Sequence, residues 1–151
     1  MTRINLIPVN ELSDQHLIAE YRELPRVLKQ DIDIKDAPYR FVLGKGHCKW
    51  AKSHSFYILN RYKELLNEMK YRGFKTNYSY DDLVGLCDKD DNYKPNYNEI
   101  FISRCRISER ICMKPEWYKW TKREIPEWVL WDLWMMNLKR VHKNLEIYAY
   151  A

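Results

Sequence analysis

Glycine and proline are scarce in this sequence, which has four glycines and six prolines in 151 residues. β-Hairpins depend on tight turns in which glycine supplies positive φ angles, so few segments suit hairpin-linked strands. Apolar residues instead recur at helical spacing in several segments. The sequence therefore predicts an all-α fold, and 151 residues suffice for one compact domain (1–151) with a sizeable core.

Long apolar runs are also missing. The longest, "WVLWDLWMM" (128–136), is interrupted by Asp132 and is too short to cross a bilayer. The N-terminus has no apolar stretch of the signal-peptide kind. We therefore expect an intracellular protein that has no membrane partner.

Paired cysteine motifs are absent as well. None of the four cysteines (Cys48, Cys87, Cys105 and Cys112) belongs to a C-x-x-C pair. Zinc-binding residue types occur at His47, Cys48, His54 and Cys87, but their spacing fits no usual ligand pattern. We expect free buried thiols in a reducing compartment, and neither a metal nor another cofactor.

What is present is positive charge and aromatic side chains. The formal net charge is +5, and residues 101–151 hold 10 Lys/Arg against 6 Asp/Glu, so most of the excess lies in the last third. Aromatic residues make up 15% of the chain and alternate with cations in "KPEWYKWTKR" (114–123). Such a mixture suits contacts with phosphates and stacking on bases, although the same charge is ordinary for a soluble domain.

Three main helices are predicted. The first starts at Ser13 or Asp14 and carries an apolar stripe of Leu17, Tyr21, Leu24 and Leu28, with a kink or a restart at Pro25. The second runs from Ser53 or Ser55 to a stop at Gly73. The third covers "NEIFISRCRISERICM" and ends before Pro115, with Ile100, Ile107 and Ile111 facing inward. A short helix can also start at "DDLV" (81–84).

A C-terminal aromatic-rich helix follows in "PEWVLWDLWMMNLKRVHKNL", with Pro126 at its first position. Its broad apolar side contains Trp128, Trp131, Trp134, Met135 and Leu138. This side either packs on the core or forms a dimer face, and we expect core packing.

A loop is predicted between the first and second helices, in "RFVLGKGHCKW" (40–50). Its glycine N–H groups could bind a phosphate, but the signal is weak because the spacing of known phosphate-binding loops is missing.

The N-terminus "MTRINL" carries a chemical signal. Removal of Met1 before the small Thr2 would expose an α-amine that titrates near 7.7–8.0, against roughly 10.4 for lysine. Such an amine is a nucleophile at neutral pH if a site surrounds it. Arg3 follows directly.

The polar face of the first helix is the candidate site. At about 100° per residue, His16, Arg22, Glu23 and Arg26 lie opposite the apolar stripe, around the small Ala19. Because charged side chains surround the small Ala19, a ligand could come close to this face of the helix. A helix surface that is simply exposed to solvent gives the same pattern.

The segments "MTRINL", "SDQHLIAEYRELPRV", "LGKGH", "RGF" and "WYKW" occur in the order typical of the phage-type pyrimidine-dimer DNA glycosylases, often called phage endonuclease V. The chain resembles that family almost continuously over residues 2–28 and patchily to about residue 120. The family core would therefore span about 2–120, followed by a C-terminal extension over 121–151. The resemblance implies a compact all-α domain whose first residues lie against the polar face of the first helix.

The resemblance also implies roles for individual residues. Thr2 corresponds to the family's nucleophile and Glu23 to its catalytic carboxylate. The positions that correspond to DNA-binding residues are Arg3, Gln15, His16, Arg22, Arg26, Arg106, Arg110, Trp117, Tyr118 and Lys119. The implied partner is double-stranded DNA with pyrimidine dimers or abasic sites, without an obligate protein partner.

The activity implied is excision of ultraviolet-induced pyrimidine dimers by a glycosylase with abasic-site lyase activity. The Thr2 amine would form an imine with the sugar, and β-elimination would cut the strand. Two alternatives stay open at this point: a lyase of the same family that acts on another lesion, and a basic helical module that binds DNA without catalysis. A helical interaction protein that dimerises through its tryptophan-rich tail would leave the pairing of Thr2 with Glu23 without a purpose.

Overall fold

The computed structural model describes residues 4–87 and 91–149, with side chains described up to residue 143. Six α-helices make up this part of the chain: α1 (Asp14–Lys29), α2 (His47–Ser53), α3 (Ser55–Arg72), α4 (Asp81–Val84), α5 (Tyr97–Met113) and α6 (Glu127–Ala149). Single 3₁₀ turns lie at Val9–Glu11 and Pro115–Trp117. The prediction of an all-α fold is confirmed.

Helix α1 begins where its capping residue predicts. The Ser13 side chain accepts a hydrogen bond from the backbone N–H of His16, which satisfies one of the free donors of the first turn. The helix then continues through Pro25 to Lys29, so the predicted restart at Pro25 is wrong. Since the ring of Pro25 is buried with the apolar stripe of α1, packing there offsets the lost backbone hydrogen bond.

The core forms where α1, α2 and α3 meet. Leu17 and Leu24 of α1 are fully buried together with Trp50 of α2 and Tyr62 of α3. The α3 helix ends at Gly73, which takes a left-handed conformation with φ 84° as a glycine at that position should. Its predicted bounds, Ser55 and Gly73, are therefore confirmed.

Helix α2 begins inside the segment (40–50) that was predicted as a loop. The turn before it needs positive φ at Gly44 and Gly46, and helix α2 then begins at His47. The buried His47 ring accepts from the Ile4 N–H and lies 2.8 Å from the Val42 carbonyl oxygen. The two ring nitrogens of His47 thus join the N-terminal segment to the loop before α2. His47 therefore does not face a phosphate, as was suggested for this loop.

The zinc-binding residue types serve other purposes. His54, like His47, has both ring nitrogens engaged, one 2.5 Å from an Asp91 carboxylate oxygen and the other 2.7 Å from the Tyr39 carbonyl oxygen. No group of potential metal ligands occurs among the residues with described positions. Cys48 and Cys87 are half-buried, whereas Cys105 is exposed, so the prediction of buried thiols is wrong for Cys105.

Helix α5 has a full capping box, in which the Asn96 side chain accepts from the Glu99 N–H and the Glu99 side chain accepts from the Asn96 N–H. Ile107 and Ile111 are buried and Ile100 packs beside them, which confirms the predicted inward face. The α5 helix also supports α6, since the Ser108 hydroxyl donates to the Asp132 carboxylate.

Most of α6 is not part of the core. Val129 is buried and Trp128 packs beside it, but Trp131, Trp134, Met135 and Leu138 are exposed. The expectation that the apolar side of α6 packs on the core is therefore wrong over most of its length. In the stretches described here, no helix is both long and apolar enough to cross a membrane.

A buried ion pair joins the start of the chain to helices α1 and α3. Arg61 donates to Glu20 at 2.6 and 3.1 Å and to the Ile7 carbonyl oxygen at 2.6 Å. Glu20 also accepts from the backbone N–H and the side chain of Asn5. Because every charged atom of this pair is matched, removal of one partner would leave the other charge buried and uncompensated.

We expect Arg61→Met to lower the free energy of unfolding by about 3–5 kcal/mol, because it strands the Glu20 carboxylate in the core. Urea unfolding followed by circular dichroism measures the change. Lys63→Met on the same helix is the matched control and should change the value by less than about 0.5 kcal/mol. The double variant Glu20→Gln, Arg61→Met should recover part of the lost stability. An Arg61→Met variant whose free energy of unfolding lies within about 1 kcal/mol of the parent value would contradict this account.

Candidate active site and DNA interface

The segment that follows the N-terminus is fastened to three helices in succession. The backbone N–H of Ile4 donates to His47 on α2, that of Asn5 to Glu20 on α1, and that of Leu6 to Ser103 on α5. An extended segment has no internal backbone hydrogen bonds, so these side chains satisfy its donors. Thr2 and Arg3, which the sequence predicts to belong to the site, lie outside the described residues.

Glu23 lies one helical turn after Glu20 on α1, and the two carboxylates have different surroundings. Glu20 is buried and paired with Arg61, whereas the Glu23 side chain is 25% exposed. Arg26 donates to the Glu23 carboxylate at 3.0 Å and is itself 71% exposed. The structure therefore brings Glu23 and Arg26 together on the polar face of α1, and Glu20, which bonds Asn5, lies one turn before Glu23.

His16 lies at the N-terminal end of the same face. Its ring stacks on Tyr118 with centroids 4.9 Å apart, and its Nδ1 is 2.7 Å from the Ser13 hydroxyl. Burial, and next the positive charge of Arg110, lower the pKa of His16 to about 4. At neutral pH the ring is uncharged. The Ser13 hydroxyl oxygen also accepts the backbone N–H of His16 at 3.1 Å, so Ser13 contacts both the backbone and the ring of this residue.

Gln15 holds the aromatic segment against α1. Its side-chain amide donates to the Trp117 carbonyl oxygen at 2.6 Å and accepts from the Lys119 N–H at 3.1 Å. These two bonds place Trp117, Tyr118 and Lys119 beside His16. A contact between Gln15 and DNA stays a prediction.

A second ion network fixes the segment that follows. Asp14 accepts from Arg72 at 2.9 Å and from the Thr121 hydroxyl at 2.6 Å. Glu68 accepts from both Arg72 and Arg123; burial opposes ionisation, but these two guanidinium groups prevail and lower the pKa of Glu68. The network ties residues 119–123 to helices α1 and α3, so the aromatic segment is part of the same body.

Helix α5 supplies the predicted arginines. Arg110 is exposed, and its charge acts on His16, which shows that this end of α5 lies next to the polar face of α1. Arg106 is half-buried one turn earlier. Trp117 is exposed beside α5, with the Lys114 ammonium 5.4 Å from its ring centre. Cations and aromatic rings thus share one surface.

A cavity of about 450 Å³ opens along the edge of the polar face of α1 that carries Arg22 and Arg26. Arg22 and Arg26 line it together with Tyr21, Phe74 and Tyr78. The Tyr21 hydroxyl accepts the backbone N–H groups of Asn77 and Tyr78, which holds the loop that forms the far wall. The volume lies within the range of small-ligand sites, about 300–1,000 Å³, and the lining combines aromatic and cationic groups.

The site is therefore a carboxylate among cations, on a helical body whose surface carries cationic and aromatic side chains. Such a surface is typical of proteins that bind nucleic acid. A family model described as pyrimidine dimer DNA glycosylase matches residues 1–82, which is more than half of the chain. The chain belongs to this family and is a DNA repair glycosylase. The match includes α1 with Glu23, whereas Arg106, Arg110 and residues 117–119 lie beyond it.

Sequence reasoning missed the residues that position the site. Glu20, Arg61, His47 and Ser103 hold the N-terminal segment, and none was singled out for that role. A signal was present in α3, where Arg61, Glu68 and Arg72 recur at the spacing of its buried face. Charged residues at core spacing predict buried partners, but not which partners.

The lowered pKa of His16 makes stability depend on pH. Between about pH 6.5 and 4 the unfolded chain binds a proton at His16 that the folded chain does not bind, so the free energy of unfolding falls as the pH falls. The full effect is at most about 3 kcal/mol. From pH 7 to pH 4 we expect the free energy of unfolding of the parent to fall, relative to that of His16→Gln, by up to this amount. Urea unfolding of both chains measures the difference. Equal pH dependence in both chains would contradict the assignment.

Proposed function

We propose that this protein removes pyrimidine dimers with the α-amine of Thr2 as nucleophile, once Met1 has been removed, and with Glu23 as the catalytic carboxylate. The neutral amine attacks C1′ of the 5′ deoxyribose of the dimer. The glycosidic bond breaks, and its electron pair leaves with the base, which stays joined to its neighbour through the cyclobutane ring. The sugar ring opens as its oxygen takes up a proton, and the nitrogen and C1′ form an iminium.

The observation that carries this proposal is the anchoring of residues 4–6 by helices that include α1, which also carries Glu23. Asn5 is bonded to Glu20, and Glu23 lies one turn further along the same helix. Three residues span at most about 10 Å, and side chains three apart on a helix are about 5–6 Å from each other. The chain is therefore long enough for a residue three positions before Asn5 to approach the Glu23 carboxylate.

The charges around Glu23 suit an iminium intermediate. A carboxylate about 4 Å from the new cation would stabilise it by roughly 4 kcal/mol at an effective dielectric of 20, before desolvation is counted. Arg26 orients that carboxylate through a 3.0 Å ion pair. Arg26 thereby acts as a positioning residue for Glu23, besides any contact that it makes with phosphate.

Strand cleavage would follow by β-elimination. A base removes a proton from C2′, the C3′–O bond breaks, and the 3′ phosphate leaves with its electron pair. Water then hydrolyses the imine and regenerates the amine. Glu23 is the carboxylate that supports these proton transfers in the proposal, because it is partly exposed next to the anchored segment.

The DNA would lie across the polar face of α1 and the end of α5. Arg3, Arg22, Arg26, Arg106, Arg110 and Lys119 are the proposed phosphate contacts, while His16, Trp117 and Tyr118 contribute rings and Gln15 holds the aromatic segment. Because phosphate neutralisation releases counterions, affinity should fall steeply with added salt.

The cavity beside Arg22 and Arg26 suits a single extruded base. We assign it to the base opposite the dimer, since covalently joined pyrimidines are hard to flip.

Borohydride trapping on an abasic-site duplex, with chelator present, tests the nucleophile. Protein without Met1 should form a covalent adduct, whereas the same protein with an acetylated N-terminal amine should form none and still bind the duplex. Intact-mass measurement beforehand verifies the state of Met1. Failure of the methionine-free protein to form an adduct would favour a DNA-binding module without catalysis.

The role of Glu23 is tested by Glu23→Gln, with the exposed Glu116→Gln as matched control. We expect Glu23→Gln to lower dimer excision by about 10²–10⁴-fold, which is typical of a lost acid–base group. Its adduct on a preformed abasic site should persist, because the amine is intact. Excision within a few-fold of the parent would contradict the proposal.

Lesion choice is tested by nicking of irradiated and unirradiated plasmid. Selective nicking of irradiated plasmid, abolished by prior photolyase treatment, is the expected result because photolyase reverses pyrimidine dimers alone. Photolyase-resistant nicking would instead favour a family member that acts on another lesion.

A further inference from the structure

The wall of the cavity that lies across from α1 is the segment 74–80, which joins α3 to α4. Hydrogen bonds fix both ends of this segment. The Phe74 N–H donates to the Met69 carbonyl oxygen at 2.9 Å, and the Ser79 N–H donates to the Asp82 carboxylate at 3.0 Å. The exposed side chains with which the segment lines the cavity are Lys75, Asn77 and Tyr78.

Tyr21 of α1 fixes the middle of the same segment. Its hydroxyl oxygen accepts the backbone N–H of Asn77 at 2.8 Å and that of Tyr78 at 3.0 Å. These two donors use both acceptor positions of the hydroxyl oxygen. The Tyr21 ring is itself buried and stacks on the fully buried Tyr62, with centroids 5.9 Å apart. The core therefore sets the position of Tyr78 relative to α1, through a single phenol group.

Tyr78 differs from the other aromatic residues that line the cavity. Tyr21 is buried and Phe74 packs against the core, so these two rings have little area to offer a ligand. The Tyr78 side chain is 44% exposed, although its backbone is hydrogen-bonded. Its ring is tilted by 49° from that of Tyr21, with centroids 6.0 Å apart, so Tyr21 does not cover it by parallel stacking. An exposed ring on a fixed backbone is suited to stacking on a nucleobase.

We propose that Tyr78 is the stacking residue for the base extruded opposite the lesion, and that Tyr21 is the positioning residue that holds Tyr78 in place. This proposal rests on the proposed function, because it assigns a contact inside the base cavity described there. The base opposite a pyrimidine in paired DNA is a purine, which has two fused rings to stack. Arg22 and Arg26 on the α1 side of the cavity supply donors for the phosphates that flank the extruded nucleotide.

Equilibrium binding to two duplexes tests the stacking contact. Both duplexes carry a tetrahydrofuran residue at the lesion position, which has no aldehyde and cannot form an imine. One has adenine opposite this residue, and the other has a second tetrahydrofuran and therefore no base to extrude. We expect Tyr78→Ala to weaken binding to the adenine duplex by about 5–150-fold, the range that corresponds to one lost stacking contact. Binding to the duplex without the base should be unchanged.

Tyr97→Ala is the matched control, since Tyr97 is an exposed tyrosine at the start of α5, outside the cavity. It should bind both duplexes as the parent does. Equal weakening of both duplexes by Tyr78→Ala would show that Tyr78 acts on the fold or on phosphates. Unchanged binding to the adenine duplex would show that Tyr78 does not contact the base. Either result overturns the proposal.

The positioning role of Tyr21 is tested by Tyr21→Phe, which keeps the buried ring and removes the acceptor of the two N–H groups. We expect a smaller loss of affinity than for Tyr78→Ala, again confined to the adenine duplex, with unchanged far-ultraviolet circular dichroism. Added to Tyr78→Ala, the change should cause no further loss, because Tyr21 acts through Tyr78. Losses that simply add in the double variant would contradict the positioning role.

Borohydride trapping of the parent separates this proposal from the proposed function. If the parent forms no adduct but the loss in Tyr78→Ala depends on the adenine, the base contact stands and the nucleophile is wrong. If the parent forms the adduct but the loss does not depend on the adenine, the chemistry stands and the stacking role of Tyr78 is wrong.

Discussion

The buried pair of Glu20 and Arg61 is the interaction on which the site depends. Taking two charges out of water costs several kcal/mol per ion, and the cost is offset only where geometry and further hydrogen bonds are good. Here both charges also bond the start of the chain, through Asn5 and the Ile7 carbonyl. Apolar replacements would fill the same space, but they could not hold an extended backbone segment in one register. We infer that the pair serves to position the N-terminal segment more than to stabilise the fold.

Helix α1 serves two purposes because its two sides differ. Leu17, Tyr21 and Leu24 are buried against α2 and α3, so the helix is rigid. The polar side of the helix is held equally firmly, and there His16 and Glu23 lie about two turns apart. A carboxylate on a fixed helix keeps its place while a substrate is bound, which is what stabilisation of a developing charge requires.

The fold could be predicted from the sequence wherever local signals agree. Ser13 and Gly73 mark helix ends, and apolar periodicity gives the buried sides of α1, α3 and α5. Helix α2 and the exposed side of α6 were mispredicted because they are decided by tertiary contacts, which periodicity does not reveal. Of the predicted polar face of α1, the structure shows the pair of Glu23 and Arg26. The contacts that support this face (Gln15 on the aromatic segment, Asp14 on Arg72) join residues up to 104 positions apart, and one sequence contains no signal for such pairs.

The proposed chemistry depends on one atom, the terminal nitrogen that removal of Met1 would expose on Thr2. The most direct measurement of the central claim is peptide mapping by mass spectrometry of the borohydride-reduced protein–DNA adduct. The account predicts that the sugar remnant is attached to the α-amine of Thr2, in the N-terminal peptide. Attachment to a lysine side chain, for example Lys119, or to a peptide that still begins with Met1, would contradict it.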